Sequence, residues 1–386
     1  MATALQPELK QDLVRYGARG VDLCFNCGNC TAVCPLSLDG TSFPRKLVRY
    51  AQLGLGEKLA TAPEPWLCYY CGECSATCPR EATPGETMAA LRRYAIAQYD
   101  PSGIASLLYR FPWFLVAFTL LLGVVLGFFH LSIQVAKHTV DGVTFPAHWA
   151  AFNWIPYETI HMLGVFVGAL MGILVLSGFA NAARLMLKPH GGIRSLGKHK
   201  AGDFGQAFRR LGRELVTMRR QAECSDEGEG AEPWYLRARF AHGTIMGGFM
   251  LLLAATSLDF FFVFLLKMEF YGIARPLGII GGIIMLYGLL VYTWKRMRKA
   301  TPNTTVTTPA DVWILFFLIV LDITGFALLL ITMNQWQGVA SDVILLVHSV
   351  MAMELVLLFS MTKIAHALYR PMALYFHFLK NPETTA

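Results

Sequence analysis

Two stretches of the chain share one arrangement of cysteines, CFNCGNCTAVCP at residues 24–35 and CYYCGECSATCP at residues 68–79. In each stretch two residues separate the first three cysteines, and the fourth follows three residues later and precedes proline. Three thiolates at this spacing can bind corners of one iron–sulfur cubane while the fourth reaches another cubane. The duplicated run therefore predicts two [4Fe–4S] clusters. Zinc, the alternative for grouped thiolates, rarely uses this run.

Each cluster is expected to take three ligands from one run and one ligand from the other. The ligands of the first cluster are Cys24, Cys27, Cys30 and Cys78. The ligands of the second cluster are Cys68, Cys71, Cys74 and Cys34. The ninth cysteine, Cys224, stands alone in a charged loop and is expected to be a surface thiol.

The composition indicates a membrane protein. Of the 386 residues 55% are hydrophobic and only 15% are charged, and the mean hydropathy is +0.45. The long apolar runs begin after Phe111, so we expect an all-α protein with a helical bis-[4Fe–4S] ferredoxin-like domain over 1–106 and a membrane domain over 107–386. Cofactors should fill much of the first domain. Basic residues lie in loops between apolar runs, so membrane topology explains the net charge of +7 better than nucleic-acid binding.

Six apolar segments are long enough to cross about 30 Å of hydrocarbon as helices. We place them near residues 111–133, 157–183, 238–266, 276–295, 311–333 and 341–369. The loop over 184–237 is rich in Lys and Arg, whereas Lys137 is the only lysine or arginine in the loop over 134–156. The positive-inside rule then places both termini and the cysteine domain in the cytoplasm. Residues 1–20 contain no apolar stretch of a signal peptide, which agrees with that side.

Histidines within apolar spans need an explanation, because a polar ring is costly to place in lipid. His348 and His366 lie 18 residues apart in the last predicted span. On one continuous helix this spacing is five turns, so both rings would leave the same face about 27 Å apart along the axis. Two b haems, one in each leaflet, would fit that arrangement, since imidazole is a common axial ligand.

Each haem then needs a second histidine at matching depth. His242 enters the third predicted span level with His366, and His161 enters the second predicted span level with His348. We therefore expect the haem ligand pairs His242 with His366 and His161 with His348. His130, at the outer end of the first span, is the alternative to His161. Any one of these histidines could instead be a hydrogen-bonded core residue.

Four other ionisable residues, Asp259, Lys267, Asp322 and Glu354, lie in or near the apolar segments. Such residues either take part in proton or quinone chemistry or have a structural role. In the structural role they form hydrogen bonds between helices or extend their charged ends toward the lipid headgroups. Asp259 and Lys267 are our candidates for a quinone site. The chain has no Cys-Cys dipeptide and no Gly-x-Gly-x-x-Gly loop for a flavin or nicotinamide.

The cysteine region resembles a known family. The duplicated run, with Cys78-Pro79-Arg80-Glu81 and a helix that ends in Leu91-Arg92-Arg93, is similar to the iron–sulfur C subunit of heterodisulfide reductases. Those reductases reduce disulfides at a cysteine-rich site in their catalytic subunit. This chain has no Cys-Cys dipeptide and therefore lacks that site. The resemblance thus implies an electron relay and not a disulfide reductase.

The membrane region resembles the cytochrome b subunits of the same reductases and the gamma subunit of respiratory nitrate reductase. In those families an Arg-x4-His helix start and a His-x17-His final span supply haem ligands. The matching residues are Arg237 with His242, and His348 with His366. The nitrate reductase pattern has a further histidine where this chain has Leu252.

Fused in one chain, the two regions look like membrane subunits of the quinone-interacting membrane-bound oxidoreductase complexes of sulfate reducers. The resemblance implies electron transfer between menaquinone or menaquinol and cytoplasmic flavin and iron–sulfur partners, through two b haems and two clusters. It also implies that the electrons supply adenylylsulfate reductase. The alternatives are a membrane subunit of a heterodisulfide-reductase-type complex, and an iron–sulfur membrane anchor or sensor without haem.

Overall fold

The computed structural model describes residues 4–39, 42–140, 155, 157–221, 232–268 and 272–381, and these contain helices and no strand. Cys224 lies outside the described residues. Among the described residues, eight α-helices precede the first apolar segment. They are α1 (Leu9–Arg15), α2 (Asn29–Ala32), α3 (Arg45–Gln52), α4 (Gly56–Ala60), α5 (Glu64–Leu67), α6 (Glu73–Ala76), α7 (Pro84–Tyr99) and α8 (Ile104–Arg110). The all-α prediction is confirmed.

Apolar side chains pack the interior of this first region. Leu13 in α1, Leu47 in α3 and Leu91 in α7 are fully buried. Trp66 stacks on Tyr99 with ring centroids 6.1 Å apart, and its indole N–H donates a hydrogen bond to the Tyr99 hydroxyl at 3.2 Å. The region thus has an apolar core of its own beside the cysteine runs, where the sequence led us to expect mainly cofactors.

In the part of the chain that the structure describes, six later helices are long and apolar enough to cross a membrane. They are α9 (Pro112–Val140), α10 (Tyr157–Leu187), α12 (Ala238–Asp259), α13 (Ala274–Arg298), α14 (Pro309–Met333) and α15 (Val339–Leu357). Helices satisfy their backbone polar groups internally, as the hydrocarbon region requires. The predicted number of spans is confirmed, and the first five predicted segments agree with these helices apart from their ends.

A seventh long helix, α11 (Ala201–Thr217), lies in the basic loop between α10 and α12. Its apolar positions fall mainly on one face, and Leu211 and Leu215 pack against a buried cluster that combines residues of the first region with residues 358–379. Glu214 is buried and accepts a hydrogen bond from the Tyr69 hydroxyl. The loop predicted over 184–237 therefore contains a helix that covers the cysteine region.

The last predicted segment, 341–369, is not one helix. Helix α15 ends at Leu357, and α16 (His366–Lys380) begins after a short break. Within the break Thr362 has an extended backbone (φ −104°, ψ −173°), and its hydroxyl donates to the carbonyl of Leu358 at 2.9 Å. Threonine hydroxyls form such hydrogen bonds to nearby backbone groups and thereby compete with the hydrogen bonds of a regular helix. The prediction that His348 and His366 share one face of a continuous helix is therefore wrong.

Helix α16 packs into the first region instead of continuing the last span. Tyr369 is fully buried, with its ring centroid 5.0 Å from that of Tyr99 and 5.7 Å from that of Trp66. Asn181 of α10 also donates to the Tyr99 carbonyl at 3.2 Å. The cysteine region and the membrane helices are therefore joined by buried contacts at one end of the bundle.

Helices α12 and α13 approach each other at backbone distance. A methyl group on Gly248 would lie 2.5 Å from the carbonyl oxygen of Gly281, and one on Gly288 would lie 2.6 Å from that of Ala241. Small residues permit this close packing of membrane helices. The contact fixes the helix that carries His242.

Candidate cofactor sites

The two cysteine loops repeat one backbone conformation. Asn26 and Gly28 in the first loop have φ of 59° and 95°, and Tyr70 and Gly72 in the second have 59° and 91°. In both loops an amide donates to the sulfur of the first cysteine, at 3.4 Å from Asn26 and 3.3 Å from Tyr70. Left-handed residues of this kind turn successive N–H groups toward one anion. Both loops can therefore surround an anionic sulfur cluster.

The structure groups the cysteines across the two runs. The electrostatic neighbours of Cys30 are the thiols of Cys24, Cys27 and Cys78. Those of Cys34 are Cys68 and Cys71, and those of Cys74 are Cys68, Cys71, Cys34 and, least, Cys30. These are the two sets that the spacing predicts, each with one member from the other run.

The chemistry of these thiols fits ligands of an iron–sulfur cluster. Burial and, less strongly, the neighbouring thiols raise the pKa of Cys34 to about 12. Burial and the same kind of neighbours also raise the pKa of Cys30. Thiolates are the ligand form, so a positively charged group must stabilise them here. Iron within the set would provide that charge.

Among the described residues, no three His, Cys, Asp or Glu side chains form a group that could hold one metal ion.

Two arginines hold the second cysteine loop. Arg92, from α7, donates to the carbonyl of Pro65 at 2.7 Å and to the carbonyl of Cys68. Arg370, from α16, donates to the same Cys68 carbonyl at 3.1 Å and lies 3.9 Å over the ring of Tyr69. The loop is thus fixed by one charge from its own region and one from the far end of the chain.

His242 and His366 face each other where α12 and α16 begin. Their ring centroids are 6.1 Å apart with the planes tilted by 39°. A metal bonded to two imidazoles at about 2 Å each separates the centroids by about 6 Å. The Nδ1 atom of His366 is bonded to the carbonyl of Lys363 at 2.7 Å, which leaves Nε2 for a metal. The pair fits a bis-histidine haem site.

His348 lies against α14. Its Nδ1 is 3.0 Å from the hydroxyl of Thr324, and its ring borders Gly325, where a methyl group would lie 3.2 Å from Cε1. His130 is fully buried, with Nδ1 bonded to the carbonyl of Leu126 at 2.9 Å, and its Nε2 has no hydrogen-bond partner among the described residues. In the described part of the chain, no ring contact joins His348 to His130 or His161. The structure thus assembles the first predicted histidine pair and not the second.

His161 has different surroundings. Its Nε2 lies 3.6 Å from Oδ2 of Asp259, and the Tyr157 hydroxyl donates to that oxygen at 2.6 Å. Lys267 forms an ion pair with Glu158 at 3.1 Å and is largely exposed. The sequence pointed to Asp259 and Lys267 but not to Tyr157, whose only signal was its position one helical turn before His161.

Two buried acids remain apart from these groups. Asp322 and Glu354 are 6% and 3% exposed, and each has a buried carboxyl oxygen with no hydrogen-bond partner among the described residues. The unpaired oxygen of Glu354 would lie 2.9 Å from a methyl group on Gly123 of α9, so it points between α9 and α15. Neither acid contacts the histidine pair or the cysteine loops through a hydrogen bond that the described residues show.

Two regions of the chain are similar to known proteins. Residues 20–82 match the family described as 4Fe-4S dicluster domain, and residues 195–385 match CitB, described as Citrate utilization protein B. An Archaeoglobus profundus protein, named as being like the C subunit of heterodisulfide reductase, is 35% identical over 111 residues, which cover 27% of this chain and 59% of that protein. The chain thus spans less than two thirds of this relative. No solved structure matches the chain.

These matches confirm the iron–sulfur prediction at the level of the domain. They cover the cysteine runs and, separately, most of the basic loop and the last four spans. Residues 20–82 form a 4Fe-4S dicluster domain, and the chain continues from it into a multi-pass membrane domain.

Proposed function

We propose that this chain is the membrane electron-transfer subunit of a quinone-linked oxidoreductase complex. It connects menaquinone or menaquinol in the membrane to cytoplasmic flavin and iron–sulfur partner subunits. Two b haems and two [4Fe–4S] clusters supply the one-electron chemistry when they are bound. The chain itself contributes the ligands, the burial and the hydrogen bonds that position these groups.

We assign the residues that hold these groups as part of the same proposal. The two cysteine sets hold the clusters. His242 and His366 hold the haem nearer the cysteine domain. His348 holds the second haem together with His161 or His130, the two histidines at the opposite end of the bundle.

The observation that carries this proposal is the placement of α16. Its first residue, His366, faces His242, and Arg370, one turn later, bonds to the carbonyl of Cys68. One rigid helix thus connects a haem ligand to a cluster loop. Such a helix keeps two redox groups at a constant separation, which a relay of single electrons needs and an inert anchor does not.

The partners and orientation rest on the resemblance and on charge. The basic loops place the cysteine domain on the cytoplasmic side by the positive-inside rule. The relative from Archaeoglobus profundus is named for a heterodisulfide reductase subunit. We infer that this chain passes electrons to soluble subunits of that general kind, which in sulfate respiration supply adenylylsulfate reductase.

A second candidate is a membrane subunit of a heterodisulfide-reductase-type complex. The name of the archaeal relative favours it. The two candidates share the relay and differ in the partner, so co-purification of the native complex separates them. A third candidate, an iron–sulfur membrane anchor or sensor without haem, gains no support from the facing histidines.

The test is a reduced-minus-oxidised optical spectrum of the purified chain, combined with haem quantitation. We expect b-type bands and two haems per chain. In the His348→Gln variant one haem should be lost while the other keeps its spectrum. If the b-type bands were absent, the anchor or sensor would be the remaining candidate. Loss of both haems or of neither in the His348→Gln variant would contradict the assigned ligand pairs.

A further inference from the structure

The carboxylate of Asp311 joins three parts of the chain at the end of the bundle next to the cysteine region. Its side chain is only 7% exposed. Oδ2 accepts hydrogen bonds from the backbone N–H of Thr308 at 3.0 Å and from the Thr308 hydroxyl at 2.8 Å, and Nη1 of Arg296 lies 3.6 Å from the same oxygen. Oδ1 accepts from the ammonium group of Lys363. One carboxylate thus connects the end of α13, the start of α14 and the break between α15 and α16.

Lys363 connects this carboxylate to a candidate haem ligand. It begins the short turn Lys363–Ala365, which directly precedes α16. While its side chain pairs with Asp311, its carbonyl oxygen is 2.7 Å from Nδ1 of His366. Acceptors at Nδ1 fix the orientation of a metal-binding imidazole and raise its basicity. Because α15 ends at Leu357, no continuous helix holds this carbonyl in place.

The charges around Asp311 show what its loss would do. Lys363 and Arg296 are electrostatic neighbours of each other as well as partners of Asp311. Without the carboxylate, two like charges would stand side by side with no counter-charge, which is unfavourable at a site with little solvent. The side chain of Lys363 is 41% exposed, so it would move toward solvent and the turn before α16 would move with it.

We propose that Asp311 is a positioning residue for the haem of His242 and His366, an inference that rests on the haem site proposed above. Asp311 acts through another residue. It fixes Lys363, and the carbonyl of Lys363 orients the imidazole of His366. Asp311 is also an electrostatic neighbour of Tyr70 in the second cysteine loop, so the same carboxylate lies close to both redox sites.

The experiment measures how firmly each haem is held in the full chain. Asp311→Asn keeps the size of the side chain and an oxygen that can accept from Thr308, but it removes the charge that binds Lys363. Haem transfer to apomyoglobin is followed by absorbance. One of the two haems should transfer about tenfold faster, the usual effect of losing a group that orients a ligand. The EPR signal of that low-spin haem should also shift, because it depends on the orientation of the two imidazoles.

Three further variants separate positioning from general stability. Lys363→Gln should accelerate the transfer by the same factor, and combining it with Asp311→Asn should add nothing, because both remove one contact. Lys363→Arg keeps the charge and should restore the wild-type rate and spectrum. Asp203→Asn is the matched control. Asp203 is also the third residue of its helix, α11, where it accepts from the N–H of Lys200 at 2.8 Å, and its replacement should leave both haems unchanged.

Two results would overturn the proposal. One is a wild-type transfer rate and EPR signal in both Asp311→Asn and Lys363→Gln. The other is equally fast loss of both haems, which would show a general loss of stability. If Asp311→Asn fails to fold, Lys363→Gln tests the same contact from its more exposed side. A wild-type chain without haem would instead contradict the proposed function, and that result is visible before any variant is made.

Discussion

Arg370 and Cys68 are 302 positions apart in the chain, yet Nη1 of Arg370 donates to the carbonyl oxygen of Cys68 at 3.1 Å. Arg370 also covers the ring of Tyr69, the next residue of the cysteine loop. The helix that provides this arginine begins at His366, opposite His242. One hydrogen bond therefore ties the iron–sulfur domain to the helix that we propose holds a haem.

Replacing Arg370 by Gln should lower the reduction potential of the cluster held by Cys68. The positive charge beside the loop stabilises the more negative, reduced cluster, and its loss should shift the potential on the order of 50 mV downward. The shift is measured by an EPR-monitored redox titration. The control is Arg298→Gln, since Arg298 lies over Trp294 at the end of α13. An equal shift of both clusters, or none, would show that Arg370 does not act on this loop.

Replacing Cys34 by Ser should remove the cluster of the second cysteine run and spare the cluster of the first. Cys34 belongs to the first run, but its neighbours are Cys68 and Cys71. Iron quantitation and the EPR signal of the remaining cluster identify which one is lost. Cys78→Ser should give the reverse result. If each variant lost the cluster of its own run, the exchange of ligands would be refuted.

Replacing His366 by Gln should remove about half of the b-type absorbance, because one of two haems loses a ligand. His366 and His242 face each other at a separation suited to one iron, so either substitution should abolish the same haem. The pyridine haemochrome assay measures the loss. His190→Gln, at an exposed position after α10, is the control and should retain both haems. Different spectral losses in His242→Gln and His366→Gln would mean that they do not share a haem.

Replacing Gly248 by Ala should destabilise the membrane domain by about 1–3 kcal/mol. The added methyl group would lie 2.5 Å from the carbonyl oxygen of Gly281, so α12 and α13 must separate. The adjacent Gly247→Ala is a matched control, because a methyl group there meets no atom within 4 Å. Thermal unfolding in detergent measures the difference. Equal midpoints for the two variants would contradict the close approach of the helices.

Much of the architecture could be predicted from local sequence. The cysteine loop and its repeat could be predicted because the spacing of Cys24, Cys27 and Cys30 is a local property of the sequence. Span number follows from the length of apolar runs. The break after Leu357 escaped prediction because its residues stay apolar enough to continue a span, and only the tertiary packing of α16 reveals the end of the helix.

The contacts between distant residues were the part that the sequence did not reveal. Tyr157 and Asp259, like Arg370 and Cys68, meet only after the helices pack. Helical phase predicted a relation between His348 and His366 that depended on one continuous helix, and that premise was wrong. The pairing of His242 with His366 was predicted from matching depth on separate helices, and the structure brings these two residues together. Depth in a bilayer does not depend on how the spans are connected.

We propose that the chain relays electrons between quinol and its iron–sulfur clusters through haem. The most direct measurement is to mix the oxidised, purified chain with menaquinol and to follow b-type absorbance with time. The haem bands of the wild type should become reduced, and the His366→Gln variant, with one of two haems left, should show about half of that change. A chain whose clusters are intact but which gains no b-type absorbance with menaquinol would contradict it.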